Sequence, residues 1–170
     1  MAEKRLSFWF YFGCPYSFLA WESLKKAVDI SEWKIDLIGI DLPEAANSLL
    51  FKDWNFSAPR WERIVLRGDI LRVKLNRPQS PAPSFAPFLR ALKKYTGPEQ
   101  VKFLDSVFKL VFQNGNFNGD LQITADFLKS EGIEAKVFLD AQSDPETQNS
   151  VECDREKWFS EKIRILPKIK

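Results

Sequence analysis

The stretch FWFYFGCPYSFLAWESLKKAV, Phe8 to Val28, decides the fold. It opens on an aromatic run, turns at Gly13-Cys14-Pro15, and continues with Phe18, Leu19, Trp21, Leu24 and Val28 at helical spacing. The aromatic run, Leu6 to Phe12, predicts a buried strand. Pro15 suits the first position of a helix, so the spacing predicts a helix from Pro15 to Val28. Cys14 then falls at the helix N-cap, where backbone N–H groups lack partners and the positive end of the helix dipole favours an anion. A thiol at such a place ionises more readily than free cysteine, so Cys14 is expected to be reactive with a lowered pKa. The alternative is a small buried residue that packs a strand-to-helix turn.

Working outward, Lys34 to Leu42 reads as a second strand closed by Pro43, and a strand-helix-strand crossover makes the two strands parallel neighbours. PEAANSLLFKDWNF reads as a short helix or irregular lid with Trp54 and Phe56 turned inward. Helices are predicted over Ala58 to Val73, Ser84 to Tyr95, Glu99 to Phe112, Asp120 to Ser130, Ala135 to Ala141 and Glu146 to Lys162. Gly132 serves as a C-cap, and the proline-dense loop Asn76 to Pro83 interrupts the series. IRILPKIK, Ile163 to Lys170, reads as a terminal strand interrupted at Leu166-Pro167. No internal repeat is present.

The composition narrows the function. The 170 residues are 45% hydrophobic and 14% aromatic, enough for a substantial core. With 25 Lys and Arg against 23 Asp and Glu, the net charge of +2 gives no field that calls for nucleic acid. A small-molecule substrate is expected instead. No apolar run reaches the length of a membrane span and no cleavable leader is visible, so no membrane partner and a cytoplasmic location are expected. The chain has no histidine and two cysteines, Cys14 and Cys153. Cys-His and Ser-His dyads are therefore excluded, and no metal site is expected. Cys153 sits on a helix, where an inert, buried thiol is the expectation.

Cys14-Pro15-Tyr16-Ser17 has the C-P-x-C frame of dithiol oxidoreductases with serine in place of the second cysteine, set between a strand and a helix. In that context the chain resembles the DsbA-like thioredoxin folds, and within them the 2-hydroxychromene-2-carboxylate isomerases and kappa-class glutathione transferases, whose S-P-Y-S aligns with Cys14 to Ser17. PRWERIVLRGDILRVKL, PSFAPFLRALKKY with Arg90, and FLDSVFKLVFQNGNFNGDLQITADFLKSEGIEAKVFLDA resemble successive helices of that family. IRILPKI is similar to its G-V-x-G-V-P-T-F.

The resemblance implies an α/β fold of the DsbA and kappa type: a thioredoxin-like core, residues 1–44 and 163–170, with an all-helical insertion at 45–162. It implies strands at Leu6 to Phe12, Lys34 to Leu42 and Arg164 to Ile169, and a cis Leu166-Pro167 peptide that contacts Cys14. It also implies glutathione as cofactor, held by Cys14, Pro15, Tyr16, Ser17, Leu166 and Pro167, with Cys14 catalytic. Arg67, Asp69 and Arg72 would form a polar wall or simply a solvated helix face. Ser17 would donate to Cys14 or satisfy a backbone group of the first turn.

The chain as written stops three residues after Pro167, so the family's C-terminal hairpin strand and last helix, with the Ser-Asp pair that grips glutathione's γ-glutamyl end, are expected to be missing. A homodimer is one way to cover the sheet edge so exposed. The function implied is a glutathione-dependent isomerase or transferase acting on small, aromatic, electrophilic substrates. Two alternatives stand beside it: a monothiol thiol-disulfide oxidoreductase using Cys14, and a non-catalytic remnant or interaction protein.

Overall fold

The computed structural model describes residues 4–41, 58–78, 84–114, 117, 119–163 and 166–170. Strands β1 (Arg5–Phe10), β2 (Lys34–Gly39) and β3 (Lys168–Ile169) form one sheet in the order β2-β1-β3. Seven α-helices are seen among the described residues: α1 (Pro15–Ala27), α2 (Ala58–Ile70), α3 (Ala86–Lys94), α4 (Gly97–Phe112), α5 (Leu121–Ser130), α6 (Ala135–Asp140) and α7 (Pro145–Ser160). The expected lid and the inward turn of Trp54 and Phe56 lie outside the described residues.

β1 and β2 are parallel, from Arg5 opposite Lys34 to Phe10 opposite Gly39, as the crossover through α1 requires. β3 lies antiparallel on the other side of β1, with Phe8 opposite Ile169 and Trp9 opposite Lys168. Period-two alternation sends Phe8 and Phe10 to one face and Trp9 to the other. On the first face Phe8 meets Trp21 of α1 at 5.4 Å between ring centroids, and Phe10 meets Phe108 of α4 at 5.8 Å. On the second, Trp9 packs with Ile38, Ile40, Trp158 and Ile163. The larger cluster continues through Phe12, Phe85, Phe88, Phe103 and Phe138, so the strand aromatics and the helices share one core.

Several element ends differ from the sequence expectation, most of them for a local reason. β1 stops at Phe10 rather than Phe12 because the next backbone groups are committed to the corner: the Tyr11 N–H donates to Ser17 Oγ at 3.3 Å, and the Tyr11 carbonyl accepts from the Cys14 N–H at 3.0 Å. β2 ends at Gly39, before Ile40 and Asp41, and Leu42 lies outside the described residues. α2 ends at Ile70, short of Val73, in a closed C-cap: Val73 N–H returns to Gly68 O at 2.8 Å, Arg72 N–H to Asp69 O at 2.9 Å, and Arg72 takes φ +56°. α7 ends at Ser160 in the same way, with Lys162 at φ +51° and Ile163 N–H bonded to Trp158 O. α4 starts at Gly97, two residues before Glu99, since a proline in the first turn costs no helical hydrogen bond. α5 begins after Asp120, whose side chain accepts from the Ile123 N–H at 2.9 Å, and closes through Gly132 at φ +72°. The terminal strand is confined to Lys168–Ile169, after the proline that has no N–H to give a ladder; Arg164 and Ile165 lie outside the described residues.

Candidate functional site

The chain leaves β1 at Phe10 and enters α1 at Pro15, and Cys14 between them is the N-cap, with extended backbone (φ −100°, ψ 112°). Its carbonyl accepts from Ser17 N–H at 2.9 Å and Phe18 N–H at 3.2 Å, which starts the helix. The thiol is 1% exposed and belongs to the main apolar cluster. That burial corrects the expectation of a lowered pKa. Desolvation pushes the Cys14 thiol above its ordinary value, while the Ser17 amide and hydroxyl, the Tyr16 amide and the Arg60 guanidinium pull it back only in part. Desolvation is the larger effect, so the helix-end amides do not prevail. The thiol is a weaker acid than free cysteine.

The other corner residues fall into place around it. Pro15 occupies the first helical turn and is buried. Ser17 is fully buried and accepts from the Tyr11 N–H, a backbone group of the turn before the helix rather than of its first turn. Tyr16 is half-buried, with the Arg67 guanidinium 5.4 Å from its ring centroid. Arg67 and Arg60 are one heptad apart on α2 and so share a helix face. Arg60 escaped the sequence reading, although this spacing from Arg67 would have revealed it. Arg67, Asp69 and Arg72 are all exposed.

Leu166-Pro167 is a cis peptide, as expected. Leu166 is half-buried and packs against both apolar clusters. Ser7 and Lys170 exchange backbone hydrogen bonds of 2.9 and 3.1 Å, continuing the β1–β3 register. One step the other way, that register sets Pro167 beside Phe10. Pro167 therefore stands at the end of the sheet toward which β1 runs, the end that Cys14 follows.

Cys153 corrects a second expectation: on α7 it is exposed, not buried. Among the described residues no group of histidine, cysteine and acidic side chains is placed to hold a metal. No described helix is long and apolar enough to cross a membrane.

A family model described as a DSBA-like thioredoxin domain matches residues 5–164. A search of curated proteins found no match. Among solved structures, a 2-hydroxychromene-2-carboxylate isomerase superposes with a TM-score of 0.76 at 16% identity, over 98% of this chain and 84% of that one. The cytosolic disulfide reductase DsbM from Pseudomonas aeruginosa superposes with a TM-score of 0.73 at 14% identity, over 97% and 83% of the two chains. The structure of the same reductase with GSH gives 0.69 at 15% identity, over 97% and 84%. At these identities the likeness is one of fold.

Proposed function

The chain belongs to the DSBA-like thioredoxin domain family, and from that premise we propose that it is a glutathione-dependent isomerase or transferase of the 2-hydroxychromene-2-carboxylate isomerase and kappa type, acting on small electrophilic substrates, with Cys14 as the residue that meets glutathione's sulfur. The observation that carries this reading is the place of Cys14: an N-cap thiol at the start of α1, at the end of the sheet where the β3 register sets Pro167, and protonated at neutral pH. A thiol of that kind keeps its proton at neutral pH and can donate it in a hydrogen bond, the role that the resemblance gives to serine. The donor set suits an anionic sulfur: an S–H group, the first-turn amides of α1 and the Arg60 guanidinium. Bound there, glutathione supplies a thiolate that adds reversibly to an electrophilic carbon.

The chain's own part is to hold that sulfur charged and oriented. Ser17 fixes the corner by accepting from the Tyr11 N–H. The backbone on either side of the Leu166-Pro167 bond is the proposed partner for the cysteinyl portion of the peptide, since the β3 register brings it to the same end of the sheet. The same burial weighs against thiol-disulfide exchange as the main activity. Attack on a disulfide needs the thiolate, and the sequence places serine where a resolving cysteine would stand.

Calorimetric titration with reduced glutathione tests the proposal. The expected result is saturable millimolar or tighter binding, kept in Cys14→Ser, which retains a donor, and weakened at least about tenfold in Cys14→Ala, which does not. Failure to bind at millimolar glutathione, or equal affinity in the alanine variant, would overturn it. Rapid formation of a mixed disulfide between Cys14 and oxidised glutathione at neutral pH would favour the oxidoreductase reading instead.

A further inference from the structure

Helix α2 packs on α1 through one face only. Ile64 and Gly68 on that face are buried, and Trp61 and Val65 beside them half-buried, which leaves the opposite face to solvent. On it Leu66 is 62% and Ile70 82% exposed, more than any other large apolar side chain among the described residues. Standing four apart, they are neighbours on the helix surface. Single exposed apolar residues are ordinary; two adjoining ones on the outer face of a helix make a strip.

Charges border the strip in order. In a heptad frame Arg63 and Ile70 take position a, and Pro59 and Leu66 position d, the two lines that meet a partner helix. Arg60 and Arg67 then fall at e, Glu62 and Asp69 at g, and all four are exposed. One flank of the strip is basic and the other acidic. Among the described residues Glu62 and Asp69 enter no ion pair. Glu62 and Arg67, five residues apart and on opposite flanks, cannot meet within one helix.

That pattern selects its partner. Two copies of α2 laid parallel about a twofold axis bring the acidic flank of each onto the basic flank of the other, with Glu62 against Arg67 of the second copy in both directions and Leu66 and Ile70 packed between. Antiparallel pairing would set like charges together. An anionic membrane surface would meet Glu62 and Asp69 along with the arginines, and so mixed a face does not suit it. We propose that the outer face of α2 is a self-association surface on which a second copy of this chain docks in parallel. The seam is about three turns long and carries an arginine at one a position, so the dimer belongs to the small, transient class that buries less than about 1,200 Å². Arg67 also lies over the Tyr16 ring, so the seam borders the corner without using Cys14.

Sedimentation velocity of the full chain, with reductant to keep Cys153 unpaired, tests the proposal. Between about 5 and 500 µM a reversible monomer–dimer equilibrium is expected. Ile70→Lys, at an exposed position where lysine keeps the helix, should weaken it at least about tenfold. Glu62→Arg sets arginine against arginine and should weaken it as much, whereas Glu62→Arg combined with Arg67→Glu exchanges the two flanks and should restore it. Circular dichroism checks that each variant keeps its helices. A monomer throughout the range, a dimer that Ile70→Lys leaves intact, or a double variant no tighter than Glu62→Arg would each overturn the proposal. So would a chain that stays monomeric yet sediments with equimolar phosphatidylserine and phosphatidylcholine vesicles, which would give the face to lipid.

Discussion

Iodoacetamide at about neutral pH should alkylate Cys153 of the native protein at least about tenfold faster than Cys14. The rate of this reaction is set by access and by the fraction of thiolate. Cys14 loses on both counts, since it is 1% exposed and burial raises its pKa. Cys153 lies open on α7. Peptide mapping of a time course gives the two rates directly, and Cys153→Ser should leave only the slow phase. In denaturant, where the packing over Cys14 is gone, the rates should converge. A Cys14 that labels as fast as Cys153 or faster in the folded protein would show that the corner is open and its thiol acidic.

Phe108→Ala should be among the most damaging single substitutions, at about 3–5 kcal/mol. Phe108 is fully buried, and its ring lies 5.8, 5.4, 5.4 and 6.5 Å from those of Phe10, Phe12, Phe18 and Phe112. It thereby ties the sheet, the corner and α1 to α4, and a cavity there would be bordered by rings that pack around it from three elements. Domains of this size hold about 5–15 kcal/mol in total, so the loss is a large share. Urea unfolding measures it. Phe159→Ala, at an exposed ring, should stay within about 0.5 kcal/mol as the control. A loss below about 1 kcal/mol at Phe108 would mean that the core repacks around the gap.

Much of this arrangement was legible because each signal was local. The aromatic run through FWF marked β1, and Pro15 with the apolar spacing behind it marked α1. Gly132 marked the end of α5, and Ser130 is indeed its last residue. The overruns came where no glycine announced the stop. Arg72 and Lys162 adopt the left-handed conformation that usually signals glycine, so α2 and α7 end earlier than their composition suggests. The burial of Cys14 was not legible for a different reason. Its place at a helix N-terminus can be read from the chain, but what covers it is assembled from distant segments, and desolvation outweighs the helix-end amides once that cover is in place. The exposure of Cys153 was hidden by the weak apolar patterning of α7, which buries only Thr147 and Trp158 fully.

On the proposed function, Cys14 works as a protonated, buried donor rather than as a ready nucleophile. Burial raises its pKa in the folded state above the unfolded value, so its contribution to stability is complete below the unfolded pKa and vanishes as pH climbs through the folded one. Stability of Cys153→Ser should fall across that alkaline window relative to the protein with both cysteines changed to serine. The most direct measurement is the ultraviolet absorbance of the thiolate in Cys153→Ser, titrated with pH and compared with the double variant. An apparent pKa above the ordinary value of 9.0 is expected; a midpoint well below it would instead make Cys14 an activated thiolate.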